Sequence, residues 1–318
     1  MGSKPLSREK ATGISAGIAS AVFLGLAPVF GKQALLSGFS PLAVVAIRTG
    51  LAALLLLLPM LIFRRKFFYI YPVGLVGCLL AGFTNGIGSI LYYAALARLD
   101  TSIGQLLYSF YPLFVAFWLL MDRQPLSRVT ILRLALALPG TYLLLAASHN
   151  HIDLMGAFMM VLAAILYALH LLINQRVLYE VPAPTVTFYT LLSMAITVIA
   201  FYLLFDRSVP ETGTPWWPVL AMALITFLSR ISLFLGVKHL GSLQTSLLGL
   251  GEILITIILA VIFLGDRLSL LQCLGGLMLL LSMLLVNFDT PTMEKRRGKG
   301  ILSWLAPPRV DPAEYPWQ

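Results

Sequence analysis

Two stretches of this chain decide its fold, because one can be laid over the other. Residues 89–117 read SILYYAALARLDTSIGQLLYSFYPLFVAF, and residues 230–258 read RISLFLGVKHLGSLQTSLLGLGEILITII. At a constant offset of 141 residues, both contain an apolar segment, a short turn and a second apolar segment. Identity between them is weak, so the spacing of segments and turns carries the comparison. The pattern predicts that the chain is built from two similar halves.

The composition is typical of a protein embedded in a membrane. Of its 318 residues, 59% are hydrophobic and 11% are charged, whereas soluble proteins carry about 25% charged residues. A helix needs roughly 20 apolar residues to cross the hydrocarbon core of a bilayer. Ten segments meet that length, at residues 14–36, 41–62, 72–96, 101–121, 129–147, 154–175, 184–204, 217–237, 243–264 and 269–287.

The number of spans in each half predicts how the halves are related. Each half contains five spans, and because five is odd, the second half enters the membrane in the opposite orientation. The sequence therefore predicts an all-α polytopic membrane protein, with ten transmembrane helices in two inverted five-helix repeats. We place these repeats at residues 14–147 and 154–287. Residues 1–13 form a cytoplasmic N-terminus, and the charged, Pro-rich residues 288–318 are expected to form a disordered cytoplasmic tail.

The distribution of basic residues predicts the orientation in the membrane. If the N-terminus is cytoplasmic, 16 of the 22 Lys and Arg residues lie in cytoplasmic loops, in the chain ends or, as Arg133, near the cytoplasmic end of a span; 3 lie on the opposite side and 3 lie deeper within spans. Cytoplasmic loops carry such an excess of Lys and Arg. We therefore expect both termini to be cytoplasmic, in a plasma or inner membrane. The net charge of +9 reflects this topology, and we expect no nucleic-acid partner.

One acidic residue, Glu252, lies deep within a predicted span. Glu252 and Arg230 are each 11 residues from the turn at Gly241, which places both about 16 Å from the loop at a rise of about 1.5 Å per residue. An ionisable group at that depth costs roughly 3 kcal/mol or more unless it has a partner or faces water. Two interpretations stay open: a structural ion pair between adjacent helices, or charges that line a solute path.

Comparison of the halves favours a role in recognising a solute. Ser89 and Tyr111 occupy the positions equivalent to Arg230 and Glu252. The same place is thus neutral in one half and charged in the other, as a cavity for an asymmetric solute requires. Arg48 lies seven residues into its span, and it either anchors the solute or bonds to backbone carbonyls.

Other polar positions within the spans have a structural and a functional interpretation. Asn85 lies between Gly82 and Gly86, whose GxxxG spacing lets two helices approach closely. Asn85 is either a hydrogen-bonding residue between helices or a cavity residue. His170 and its polar neighbours are expected at the membrane interface. Pro112 and the glycines beside Glu252 predict helix breaks at matching places in the two halves, which is where binding sites of such repeats lie.

Two motifs resemble a known family. The segments SGFSPLAVVAIRTG at residues 37–50 and FLGDRLSLLQCLGG at residues 263–276 are similar to patterns of the EamA-type drug/metabolite transporter superfamily. The resemblance covers residues 14–287. It implies a secondary transporter of a small organic metabolite that works by alternating access, with export as the direction. Two deep Arg residues and one deep Glu favour a solute with an anionic group, such as an amino acid or an organic acid.

Alternatives to this function come from transport and from other classes. A passive facilitator of metabolites is the alternative within transport, and a membrane-embedded enzyme or receptor is the alternative outside it. No HExxH or P-loop lysine motif occurs in the chain, and the GxSxG match at residues 13–17 lies at the start of an apolar predicted span, so we expect no enzymatic activity, cofactor or metal. The expected partners are a small-molecule solute and the lipid bilayer. A proton is a possible coupling ion. The candidate solute-binding residues are Glu252, Arg230, Arg48, Tyr111, Ser89 and Asn85.

Overall fold

A computed structural model describes residues 8–99, 101–145, 153–208, 213–264, 269–289 and 300–305. These residues form twelve α-helices and three short 3-10 turns, with no strand among them. The first half contains α1 (Arg8–Leu36), α2 (Pro41–Phe63), α3 (Pro72–Leu96), α4 (Thr101–Tyr108), α5 (Tyr111–Met121) and α6 (Arg128–Leu145). The second half contains α7 (Leu154–Leu178), α8 (Ala183–Phe205), α9 (Trp217–Leu240), α10 (Ser242–Gly249), α11 (Gly251–Leu264) and α12 (Leu270–Leu284).

The helices confirm an all-α polytopic membrane fold. In the described part of the chain, nine segments are long and apolar enough to cross a bilayer, and a shorter apolar segment covers Ser242–Ile258. The fourth and ninth predicted spans are each broken in two, as α4 with α5 and as α10 with α11. Many large apolar side chains on the outside of the bundle are more than half exposed. Such a surface is stable in lipid and not in water.

Helix packing repeats when the two halves are exchanged. The most extensive contacts join α1 with α9 and α3 with α7. Exchanging the halves converts the first contact into the second, because α1 corresponds to α7 and α9 corresponds to α3. The same holds for the contact of α1 with α11 and that of α5 with α7. Helices α2 and α6 each pack against their own counterparts, α8 and α12. This arrangement is what two inverted repeats around a pseudo-two-fold axis produce.

The crossing of α6 and α12 illustrates the symmetry in detail. A Cβ added at Gly140 would lie 2.9 Å from the carbonyl oxygen of Gly275, and one added at Gly275 would lie 2.6 Å from that of Gly140. Both positions therefore need glycine, because the two backbones touch. Ser127 and Ser269 cap the two helices in the same way, by accepting hydrogen bonds from the backbone amides of Thr130 and Gln272.

The C-terminal end of α3 meets the N-terminal end of α7. Asp153 caps α7 by accepting hydrogen bonds from the amides of Gly156 and Met155. The bond from Gly156, more than that from Met155, holds the pKa of Asp153 below its ordinary value. Arg98, at the end of α3, adds an exposed ion pair to the same carboxylate at 3.4 Å. Exposed pairs of this kind contribute about 0–1 kcal/mol.

The ends of the chain differ from the sequence-based expectation where they are described. Helix α1 begins at Arg8, before the predicted start of the first span at residue 14. Residues 288–318 were expected to be disordered, yet Leu302 and Leu305 are buried in the main hydrophobic cluster. This short apolar segment packs because it can bury two leucines, which a purely charged tail cannot do. Residues 290–299 and 306–318 lie outside the described part.

Candidate functional site

The helix breaks place two candidate residues at equivalent positions. Helix α5 begins at Tyr111, and α11 begins at Gly251 with Glu252 in its first turn. Pro112 lies in the first turn of α5, where its missing N–H costs nothing. Both breaks therefore lie where Pro112 and the glycines around Glu252 predicted them. A half-helix that begins inside the bundle directs unpaired N–H groups and the positive end of its dipole at the site.

Glu252 and Arg230 do not form a direct ion pair. The ion pairs within 4.0 Å in the described residues include Arg98–Asp153, Arg133–Asp289 and Arg176–Asp122, and none joins Arg230 to Glu252. Arg230 nevertheless lies within electrostatic range of the Glu252 carboxylate. The two charges are thus near each other but separated, which contradicts the interpretation as a direct structural pair. Both side chains also keep part of their surface accessible at this depth.

A continuous group of tyrosine rings lies beside these charges. The ring centroids are 4.9 Å apart for Tyr92 and Tyr108, 5.6 Å apart for Tyr108 and Tyr111, and 5.1 Å apart for Tyr111 and Tyr167. Tyr93 extends the group at 5.3 Å from Tyr92. We call these five rings the tyrosine row. The rings come from α3, α4, α5 and α7, so the row joins the two halves of the bundle.

Two arginines lie over the tyrosine row. The guanidinium carbon of Arg48 is 5.1 Å from the centroid of Tyr93, and that of Arg230 is 5.7 Å from the centroid of Tyr167. Both distances are within the range of cation–π attraction. The Nε of Arg48 and the Nη1 of Arg230 are buried and have no hydrogen-bond partner. Buried donors are normally paired, so each arginine has a position open for an acceptor.

Tyr111 and Ser89 occupy different surroundings. The hydroxyl of Tyr111 donates a 2.9 Å hydrogen bond to the backbone carbonyl of Ser246. This bond connects α5 directly to α10, across the two breaks. Ser89 lies half-buried on α3, close in sequence to Tyr92 and Tyr93. The structure thus gives Tyr111 a structural bond in addition to its place in the tyrosine row.

Asn85 lies in a helix interface. It is buried, and its amide contacts the sulfur of Met194 on α8 at 3.1 Å. On both sides of it the backbones of α3 and α8 approach closely: added Cβ atoms at Gly82 and Gly86 would meet Ser193 and Thr197. The arrangement supports the helix-packing interpretation of Asn85 and of the GxxxG spacing.

Sequence reasoning missed Tyr167 and His170. His170 was expected at the membrane interface, but it is fully buried, and its ring stacks on Tyr167 at 5.7 Å. Its Nδ1 donates a 3.0 Å hydrogen bond to the carbonyl of Ala81, while its Nε2 has no partner. The spacing of three residues, which places both rings on one face of α7, is the signal that could have found them.

Two carboxylates assigned to loops are also buried. Asp122 pairs with Arg176 at 2.5 Å, and Asp289 pairs with Arg133 at 3.1 Å. Neither carboxylate is exposed. The predicted spans leave Asp122, Arg176 and Asp289 outside the membrane and place Arg133 near the end of its span. They are buried because other parts of the chain cover the helix ends. No group of three His, Cys, Asp or Glu residues in the described ranges could hold a metal ion.

Comparisons with known proteins agree with this fold. A model of the EamA-like transporter family matches residues 11–146 and again residues 154–288. An uncharacterized transporter from Synechocystis sp. is 25% identical over 225 residues, which cover 67% of this chain and 66% of that protein, slightly less than two thirds. A protein crystal structure superposes with a TM-score of 0.72 at 16% identity, over 86% of this chain and 96% of the other. At that identity the structural match supports the fold alone.

Proposed function

Because the chain belongs to the EamA-like transporter family, which matches both of its halves, we propose that it carries a small organic solute across the membrane by alternating access. The protein is an integral membrane transporter. We further propose that it exports an amino-acid-like solute or an organic anion. The direction follows the family resemblance, and the solute class follows the charges at the site.

The observation that supports this proposal is the pair of arginines with unpartnered nitrogens. Arg48 and Arg230 each lie over a ring of the tyrosine row with one buried nitrogen free of hydrogen bonds. A carboxylate accepts hydrogen bonds from guanidinium groups strongly. Glu252, which is near Arg230 but not paired with it, offers an acceptor for an ammonium group. Together these groups match a solute that carries both charges.

Two features of the mechanism remain part of the proposal. Glu252 is the candidate for proton coupling, because it is the acid placed at a helix break near the site. Facilitated transport without coupling is the alternative within this function. Both termini are proposed to be cytoplasmic, as the Lys and Arg distribution indicates. An enzymatic or receptor function has no support from the family match.

Transport by the purified protein tests the function directly. The protein is reconstituted in proteoliposomes, and uptake and efflux are measured for the twenty radiolabelled amino acids and for aliphatic carboxylates such as succinate, each with and without a proton gradient. We expect movement of at least one of these solutes above the rate of liposomes without protein. Arg48→Gln serves as the matched variant. An absence of transport for every solute, with correctly folded protein, would contradict the proposal.

A further inference from the structure

A short segment near the C-terminus is seated on the end of the helix bundle. Gly300 lies against Asp122, with a φ of +99° that favours glycine, and an added Cβ there would collide with the Asp122 backbone. The amide of Leu302 donates a hydrogen bond of 3.1 Å to the Asp122 carboxylate. Leu302 and Leu305 are buried, whereas Ile301 and Trp304 are exposed. We call residues 300–305 the C-terminal plug.

The seat of the C-terminal plug is formed by several helices. The side chain of Leu305 lies where Gly77 of α3 leaves room, and an added Cβ at Gly77 would meet both Leu305 and Val177 of α7. Both leucines belong to the hydrophobic cluster that also contains Val177. The segment therefore contacts α3, α7 and the end of α5 together, and it bridges helices from both halves.

Asp122 connects the C-terminal plug to a wider polar network. Its carboxylate accepts hydrogen bonds from the guanidinium of Arg176 and from the amide of Gln124. Gln175 donates to Gln124 and accepts from the backbone amide of Ser242, at the start of α10. One buried network thus joins α5, α7, α10 and residues 300–305. Separating these helices breaks several charged hydrogen bonds at once.

The ion pair described at the opposite end of the bundle is exposed. Among the described residues, the ion pair found there is Arg98–Asp153, and both of its side chains are more than a third exposed. The end that carries the C-terminal plug has two buried ion pairs, Arg176–Asp122 and Arg133–Asp289. Within the described residues, buried ion pairs and the apolar contacts of the C-terminal plug thus occur at the same end of the bundle.

We propose that the C-terminal plug holds the cytoplasmic end of this transporter closed. The plug must leave its seat before that end opens. The proposal rests on the alternating access proposed above, in which the site opens to each side in turn. While Leu305 packs against Gly77 beside Val177, it covers the contact of α3 with α7 and binds both helices to one segment. Release of the segment gives the site access to the cytoplasm.

A reversible cross-link tests the proposal in the full-length protein. In a background of Cys78→Ala and Cys273→Ser, the variant Gly77→Cys with Leu305→Cys is oxidised in proteoliposomes. Loss of the Leu305 methyl groups relieves one contact of the new Cβ at position 77, and Val177→Ala in every variant of this series relieves the other. We expect a disulfide to form, transport of the best amino acid of the panel to fall at least tenfold, and a reducing agent to restore it. Trp304→Cys with Gly77→Cys is the matched control, and we expect no cross-link because Trp304 is exposed.

A second measurement needs no solute. Cys78 is fully buried beside Gly77, so its reaction with a membrane-impermeant maleimide reports opening of this end. In a Cys273→Ser background, we expect Leu302→Asn with Leu305→Asn to raise the Cys78 rate at least tenfold. The exposed control, Ile301→Asn with Trp304→Gln, should leave the rate unchanged.

The outcomes separate this proposal from the proposed function. A cross-linked protein that transports as fast as the same variant after its disulfide is reduced overturns the inference, and so does an unchanged Cys78 rate in the double leucine variant. If the wild type carries none of the solutes tested, the proposed function fails, and the Cys78 rates still decide whether the segment closes this end.

Discussion

Tyr111 of the first half donates a 2.9 Å hydrogen bond to the backbone carbonyl of Ser246 in the second half. The two residues lie on either side of the matching helix breaks, so the bond fixes one broken helix against the other. Gly249 is part of the same contact, because an added Cβ there would lie 2.5 Å from the Tyr111 hydroxyl. The breaks are therefore held together where the solute site is proposed.

Removal of that hydroxyl tests the connection. Tyr111→Phe keeps the ring contacts and leaves the buried Ser246 carbonyl without this donor. We expect the free energy of unfolding to fall by about 0.5–1.5 kcal/mol, the usual net value of such a bond. Denaturant unfolding in detergent micelles measures it. Tyr142→Phe, at an exposed ring of α6, is the control, and equal loss in both variants would show that the bond contributes nothing.

Arg48 is expected to bind the anionic group of the solute. Arg48→Gln keeps a polar group over Tyr93 but removes the charge. The affinity should fall by about 1–3 kcal/mol, the range for loss of a charged hydrogen bond, which corresponds to roughly 5-fold to 150-fold weaker binding. Equilibrium binding of the transported solute by calorimetry measures this change. Unchanged affinity in a folded Arg48→Gln protein would leave Arg48 with a structural role alone.

Glu252 is expected to act on the solute or on a coupled proton. Because no ion pair joins it to Arg230, Glu252→Gln should fold with a melting temperature close to that of the wild type. Transport should nevertheless be lost or become independent of a proton gradient. The double variant Arg230→Met with Glu252→Gln should also fold and fail to transport. Full gradient-driven transport by the double variant would show that Arg230 and Glu252 have a structural role alone.

The buried pair of Arg133 and Asp289 is expected to be important for stability. Asp289→Asn leaves the fully buried Arg133 guanidinium without its counter-charge. Breaking a buried pair in this way costs about 3–5 kcal/mol. The comparison is Arg98→Gln, which removes an exposed pair and should cost about 1 kcal/mol or less. Thermal unfolding of the two purified variants in the same detergent decides the prediction, and similar losses would contradict it.

Membrane orientation is tested with single cysteines at exposed loop positions. Arg65 follows α2, and Ser208 follows α8. With both native cysteines replaced, Ser208→Cys should react with a membrane-impermeant maleimide added to intact cells, and Arg65→Cys should react only after the cells are opened. The reverse pattern would invert the proposed topology.

The helix breaks could be predicted from sequence because their causes are local. Pro112 cannot donate a backbone hydrogen bond, and Gly249 and Gly251 weaken a helix on either side of Leu250. The same two glycines predicted that Glu252 lies at a helix break. The relation between Glu252 and Arg230 could not be predicted, because equal depth on adjacent helices does not determine whether the side chains face each other.

The buried polar residues show what sequence reasoning lacks. Asp122 and Asp289 follow apolar segments and look like solvated loop acids, and their burial depends on Arg176 and Arg133 from distant helices. Leu302 and Leu305 lie in a charged tail, where apolar residues three apart were the available signal. The burial of each of these residues depends on a contact with a distant part of the chain. The periodicity of a single segment carries no information about such contacts.

The pairing of Arg133 with Asp289 has a consequence for biosynthesis. The two residues are separated by 156 positions in the chain, so at about 5–20 residues per second the ribosome needs roughly 8–30 seconds between them. Throughout that interval α6 carries an arginine whose counter-charge has not been made. The first five spans are therefore not a finished unit when they leave the ribosome, and translation of almost the whole helical region must be complete before this contact can form. A chain that stops before Asp289 leaves Arg133 of α6 without its counter-charge.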